Sequence, residues 1–179
     1  YLTSRTHKMS QTQVERLFIA DRTSLMVDQF RLTANFTHSG ATTADITSNL
    51  ERIDDPSGFG SLGTGMSESS GVFTFPSTGI YLIRAVAYAF RNVTSSVYTG
   101  IRIKTTPDNS TYTVASLGYG YVPDVNGAYQ NVAVEYVFDV TNTSTHKVIF
   151  EMQSGNGVIY GGNSSQNRTH FTFMKLGDT

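Results

Sequence analysis

Four histidines are the side chains best suited to proton transfer near neutral pH: His7, His38, His146 and His170. No two of them stand at metal-ligand spacing, and the chain has no Cys to complete a zinc site or to act as a thiol nucleophile. Serine is abundant, but no G-x-S-x-G turn marks an exposed nucleophile. Asp54, Asp55, Asp108 and Asp124 lie in "RIDDP", "TPDNS" and "VPDVN". With nearby Asn side chains and carbonyls they offer the oxygen ligands that Ca²⁺ prefers. The same residue types cap their own backbone in turns without an ion, and no twelve-residue Ca²⁺ loop is present. Paired carboxylates for glycoside cleavage meet the same objection. These patterns point to a protein that is not an enzyme and needs no metal or cofactor.

Six N-x-[ST] sequons stand at Asn35, Asn92, Asn109, Asn142, Asn163 and Asn167. In a chain this rich in Asn, Ser and Thr they are read as chance rather than as glycosylation acceptors. Tyr119, Tyr121 and Tyr129 in "GYGYVPDVNGAY" are the remaining chemically useful cluster. Tyrosine joins an apolar body to a polar tip and is enriched at subunit interfaces, which is the reading preferred here over core packing or stacking on sugar.

The elements that must position these residues read as strands. Charged residues make up 15% of the 179, against roughly 25% in an ordinary globular domain. Thr, Ser, Asn and Gly take their place, as suits strands joined by turns. A net charge of −1 provides no basic field for nucleic acid. No stretch approaches the roughly 18 apolar residues of a membrane helix. The chain opens on Tyr1 rather than Met and is read as a fragment or processed product.

Residues 1–24 are polar and poorly periodic and are expected to form an N-terminal arm or connector, with one or two helical turns in "QTQVERLF". Residues 25–179 are expected to form the domain. "NVAVEYVFDVT" places Val132, Val134, Tyr136, Phe138 and Val140 on one face by period two, "HKVIFEMQSG" does so for Val148, Phe150 and Met152, and "THFTFMKL" for Phe171 and Phe173. Turn clusters separate these runs, and no helical pattern intervenes, which implies an antiparallel all-β sandwich or barrel. Residues 54–71 and 154–168 are read as long Gly/Ser/Asn-rich loops able to carry recognition.

"GVFTFPSTGIYLIRAVAYAF" holds the strongest constraint. Pro76 has no N–H and must end the strand "VFTF", and Gly79 supplies a tight turn. The strand that follows is apolar on both faces, with Tyr81, Ile83, Ala85, Ala87 and Ala89 on one and Leu82, Val86, Tyr88 and Phe90 on the other. One face meets the core, and the second is expected to meet another subunit, the alternative being a loop packed over small Ala residues. Tyr81, Ile83, Tyr88, Phe90, Tyr119, Tyr121 and Tyr129 are the expected interface residues.

"FTFPSTGIYLI" resembles the signature of the tumour necrosis factor and complement globular-head jelly rolls, through Phe73, Pro76, Gly79 and Tyr81. "ITSNLERIDDPSGFG" resembles the segment that precedes this motif, and "THFTFMKL" sits where the last strand of the family closes its sheet. The resemblance spans residues 25–177 and implies a ten-strand, TNF-like jelly roll that assembles as a homotrimer. The chain departs from the family in having neither Cys nor Trp, which points away from an animal source. "NRTHFTFMKLGDT", with the Gly/Ser/Thr-rich loops, is similar to the ends of marine bacteriophage virion proteins. Together the resemblances imply a structural or adhesive virion module, a trimeric head on a phage fibre or a capsid decoration. Its partners would be other virion proteins held through the arm and host surface carbohydrate. A secreted trimeric ligand or complement-type recognition head is the alternative.

Overall fold

The computed structural model describes residues 10, 12, 25–37, 42–55, 60–91, 97–155 and 157–179. The expected arm over residues 1–24 lies outside these, apart from Ser10 and Thr12, as do His7, His38 and Asn92. The described domain is all β, with thirteen segments: β1 (Met26–Leu32), β2 (Phe36–Thr37), β3 (Thr43–Asp45), β4 (Leu50–Arg52), β5 (Ser67–Ser69), β6 (Val72–Thr74), β7 (Gly79–Arg91), β8 (Val97–Thr106), β9 (Thr113–Val122), β10 (Tyr129–Val140), β11 (Lys147–Ser154), β12 (Val158–Tyr160) and β13 (His170–Gly177).

All strand pairs within the two sheets are antiparallel. In the first sheet β7 is central: β10 runs along one edge from Gly79 to Phe90, while β13 and then β12 occupy the other. Strand β1 and then β4 continue outward from β13, and β2 lies beyond β12. The second sheet runs β5–β6–β11–β8–β9, with β3 laid end to end with β6 along β11. The chain crosses between sheets after β2, β3, β4, β6, β7, β9, β10 and β11, which winds it into an antiparallel β-sandwich.

Period two decides the core. Tyr81, Ile83, Ala85, Ala87 and Ala89 of β7 are completely buried between the sheets. Phe171 and Phe173 of the neighbouring β13 share this inner face, and Val148, Phe150 and Met152 of β11 face it from the other sheet. Phe73 stands at the centre of this packing. Its ring centroid lies 5.0 Å from Phe30, 5.4 Å from Phe150 and 5.1 Å from Phe173, distances at which edge-to-face and offset aromatic pairs attract.

The Pro-Ser-Thr-Gly turn has a physical explanation. Phe75 closes on Tyr81 at 4.7 Å, and the Tyr81 hydroxyl donates to the Ser77 carbonyl at 2.9 Å. Gly79 has φ of 146°, and a Cβ there would lie 2.3 Å from Lys175 Cε. Lys175 itself is buried across the turn and donates to Ser77 Oγ and Asp178. Phe73, Gly79 and Tyr81 are therefore buried parts of the fold, while Pro76 stands exposed at the start of the turn.

Two expectations are corrected. Residues 54–71 are not one loop. Ser67–Ser69 pairs with β6 through a turn at Ser70 and Gly71, both with positive φ, and Leu62 bridges to Val27. Short polar runs such as "SES" carry no hydrophobic alternation, so pairing imposed by a hairpin stays hidden in the sequence. Likewise, Val158–Tyr160 inside the second long loop pairs with β7 and buries Tyr160, whose hydroxyl accepts from Thr99 Oγ1 at 3.0 Å.

Phe73→Ala should lower stability by about 3–5 kcal/mol, the usual result of emptying an aromatic core position. Urea denaturation with a fluorescence or circular-dichroism readout measures it. A loss under about 1 kcal/mol would contradict the central place given to this ring.

Candidate functional site

The outer face of the first sheet gathers most of the candidate residues. Register places Leu82 of β7 between Val137 of β10 and Met174 of β13. With half-buried Ile80 and exposed Leu176 these form an apolar stripe at one end of the face. In mid-face Arg84 pairs with Glu135 at 3.4 Å, both half-exposed. Beyond this ion pair the face turns aromatic. Tyr88 stacks on Tyr129 at 5.6 Å, and Phe90 lies 6.1 Å from Tyr88 and 5.9 Å from Tyr129.

A hollow of about 340 Å³ opens beside this cluster, lined by Val86, Tyr88, Asn131, Gln166, Asn167, Arg168 and His170. Its outer wall is the segment leading into β13. That wall is pinned to β7: Thr169 Oγ1 accepts from Tyr88 N at 3.2 Å, Thr169 N donates to Gly161 O at 3.1 Å, and Gly161 N donates to Tyr88 O at 2.8 Å. Arg168 sets its guanidinium carbon 5.8 Å from the centre of the Tyr88 ring. The Arg168 carbonyl accepts from His170 Nδ1 at 3.0 Å, so the neutral ring carries its proton on Nδ1 and presents Nε2 as an acceptor. A second hollow, of about 220 Å³ and mostly apolar, lies on the other sheet between Asp45–Thr47, Ser70–Val72, Tyr112 and Ile149.

The expected interface set is thus split. Tyr81 and Ile83 are removed from it: both point between the sheets, are fully buried and have no surface left to offer. Tyr88, Phe90 and Tyr129 come together on the first sheet. Tyr119 and Tyr121 lie on the outer face of the second sheet's edge strand, β9, and are half or more exposed. Tyr119 leans on Tyr98 and bonds to Arg102 and Gln153, joining a polar network that includes Glu151, Lys104 and Asp45. Gln166, Asn167 and Arg168 fall within residues 154–168, the segment read as able to carry recognition, whereas Asn131 escapes sequence reading because register, not local pattern, brings β10 and the β13 lead-in together.

The four candidate carboxylates are spread over protein partners. Asp54 takes Arg31 at 3.0 Å and Asp124 takes Arg91 at 2.8 Å, while Asp55 contributes its carbonyl to Arg31. Asp108 caps its own turn, accepting from Ser110 N, Thr111 N and Thr106 Oγ1, and these donors hold its carboxyl far below the usual range. Among the described residues no group of three or more His, Cys, Asp or Glu is placed to hold a metal ion.

The geometry defines a jelly roll with a partly apolar, partly aromatic face, and among the described residues its long strands β9 and β10 each pair along one side only. No protein-family model matches the chain, and no curated protein matches it in sequence. Solved structures do match in fold. Crystal structures of murine APRIL at pH 8.0, pH 8.5 and pH 5.0 superpose with TM-scores of 0.57, 0.56 and 0.57 and identities of 13%, 14% and 14%. Each alignment covers 85% of this chain and 99% of the other. Similarity at this identity establishes the TNF-like sandwich and nothing finer.

His170 supplies a pH test. Burial, followed by the nearby Arg84 charge, lowers its pKa below the ordinary 6.5, despite its bond to the Arg168 carbonyl. Arg31 lies opposite it on β1, neutralised by Glu51 and Asp54, while Arg168 precedes it. The unfolded chain takes the proton first, so stability is full above about pH 6.5 and declines as pH falls through that value toward the folded pKa. His170→Gln should flatten the slope of unfolding free energy between about pH 7 and 5. An unchanged slope would show that the ring does not carry this linkage.

Proposed function

We propose that this chain is a non-enzymatic recognition head that self-associates as a homotrimer. The observation that carries the reading is the outer face of the first sheet, where Leu82, Val137, Met174 and Leu176 leave a stripe of apolar surface in the single subunit. Contiguous apolar surface of this kind marks an interaction site. The occupant proposed is a second copy of the chain. The subunit carries a second apolar patch elsewhere, Leu117, Tyr119 and Tyr121 on β9, each half or more exposed. Two different patches on one subunit suit a head-to-tail contact, which closes into a ring when the rotation is right. With a formal charge of −1 per chain, three copies meet without strong repulsion.

Composition favours a virion, as a fibre head or capsid decoration, for the carrier of such a head. The Cys-free chain does without the disulfides common in secreted animal domains, and its loops are built from Gly, Ser, Thr and Asn. The second reading, a secreted trimeric ligand, is favoured by the fold shared with murine APRIL. The gene neighbourhood of the full reading frame separates the two: portal, capsid and tail genes beside it support the first.

Light scattering at micromolar concentration should return three times the 19.6 kDa chain mass. Leu82→Asp should convert the trimer to a folded monomer, because the side chain is half-buried on the outer face and not in the core. A parent protein that runs as a monomer, or a Leu82→Asp variant that remains trimeric, would overturn the assembly.

A further inference from the structure

The hollow at the aromatic end of β7 has no part in the proposed subunit contact. The Arg84–Glu135 ion pair separates it from the apolar stripe. Its volume, about 340 Å³, falls within the range of pockets that hold small ligands, roughly 300–1,000 Å³. Its lining is chemically one-sided. Asn131, Gln166 and Asn167 contribute three carboxamides, Arg168 a guanidinium and His170 an imidazole, and no carboxylate is among them. The wall is set by backbone bonds, by a part-buried bond to the Thr169 hydroxyl and by one exposed side-chain bond. Thr169 is completely buried, Arg168 N donates to Gln166 O at 3.0 Å, and Asn167 Nδ2 donates to Gln29 Oε1 at 3.4 Å. Arg168 makes no ion pair among the described residues, so a half-buried cation faces this concave surface without a protein counter-charge.

We propose that this hollow binds a carboxylate-bearing sugar, such as a hexuronic acid residue of an acidic glycan. The planar guanidinium of Arg168 matches a carboxylate in two-point geometry. The carboxamides, each both donor and acceptor, match hydroxyl groups that are also both. Val86 offers an apolar floor to the C–H groups of a pyranose ring, while the Tyr88 ring, stacked on Tyr129 and lying under Arg168, holds the guanidinium at the edge of the hollow. A phosphate is a poorer match, because a single cation faces the hollow and its lining comes from strands and a loop, with no helix N-terminus to add backbone donors. This deepens the recognition-head reading and does not depend on the trimer.

The test is a titration of the full chain, followed by NMR of the His170 and Tyr88 ring signals, with glucuronic acid, glucose and acetate in parallel. Glucuronic acid should give saturable shifts, with glucose and acetate each at least ten-fold weaker. Arg168→Gln should weaken glucuronic acid binding at least ten-fold, and Asn131→Ala several-fold, both with unchanged unfolding midpoints. No saturable shift with glucuronic acid overturns the proposal. So does an equal response to acetate, which would leave only a carboxylate site, or to glucose, which would leave Arg168 without a role. Light scattering on the same samples keeps the two readings apart: a monomer that binds glucuronic acid removes the trimer and retains the pocket.

Discussion

The whole sandwich depends on one constraint, that the inner face of β7 must be filled with no exposure at all. The thirteen-residue β7 is paired over residues 79–90 along one edge and over residues 80–86 and 89–91 along the other, so the strand cannot shift to relieve a misfit. Its side chains answer by volume. Ala85 is paired with Phe171 and Ala89 with Tyr160, while Ile83 is paired with Phe173. Small residues on β7 make room for large rings on its neighbours, and Phe150 stacks on Phe171 at 4.0 Å in that space. Protein interiors pack like organic crystals, so a larger side chain at 85 or 89 would have to displace a ring. The opposite face of the strand is free of this demand, and surface chemistry is confined there.

This asymmetry explains what can be read from the sequence. Period two finds the core because the inward residues of β7, β10, β11 and β13 obey it. The Pro76–Gly79 break is legible because proline lacks the donor a ladder needs, and the Tyr81 hydroxyl does close that turn. The sorting of faces is not legible. A strand apolar on both sides does not say which face is inward, so Tyr81 and Ile83 read as interface residues although they belong to the core. Short strands β5 and β12 stay hidden for another reason: their pairing comes from hairpin geometry and distant partners, not from their own composition. The hollow joins β7, β10 and the segment before β13, which lie about 40 residues apart in sequence, and no local pattern encodes that meeting.

Buried charge plays a different part from the rings. Arg31 is fully buried on the outer side of β1, yet it reaches Glu51, Asp54 and the carbonyls of Asp55 and Ser164. Asp28, also fully buried, takes Arg52 and the Met66 amide. A buried charge without partners is costly, so each of these groups draws loop backbone to the sheet and fixes it there. Arg31 ties the segment after β4 to Ser164, beside the wall of the hollow. The rigid sheet thereby sets loop positions that a Gly/Ser/Asn-rich sequence could not set for itself.

The free edges complete the argument for a ring. Among the described residues β10 pairs only with β7, and β9 only with β8, so both sheets end on the same side of the sandwich. Gly118 and Gly120 bring these edges together: a Cβ at Gly118 would lie 2.8 Å from Val134, and one at Gly120 2.7 Å from Gln130. The two edges therefore form one narrow rim, flanked by Leu117, Tyr119, Tyr121 and Tyr129. An open edge invites uncontrolled strand pairing unless something covers it. A face-to-face dimer would bury the apolar stripe on two subunits and leave both rims bare. In the head-to-tail ring proposed above, each rim would meet the next subunit's stripe, and one contact would cover both liabilities. The location of the exposed surface, more than its amount, thus favours a closed ring over a two-fold pair.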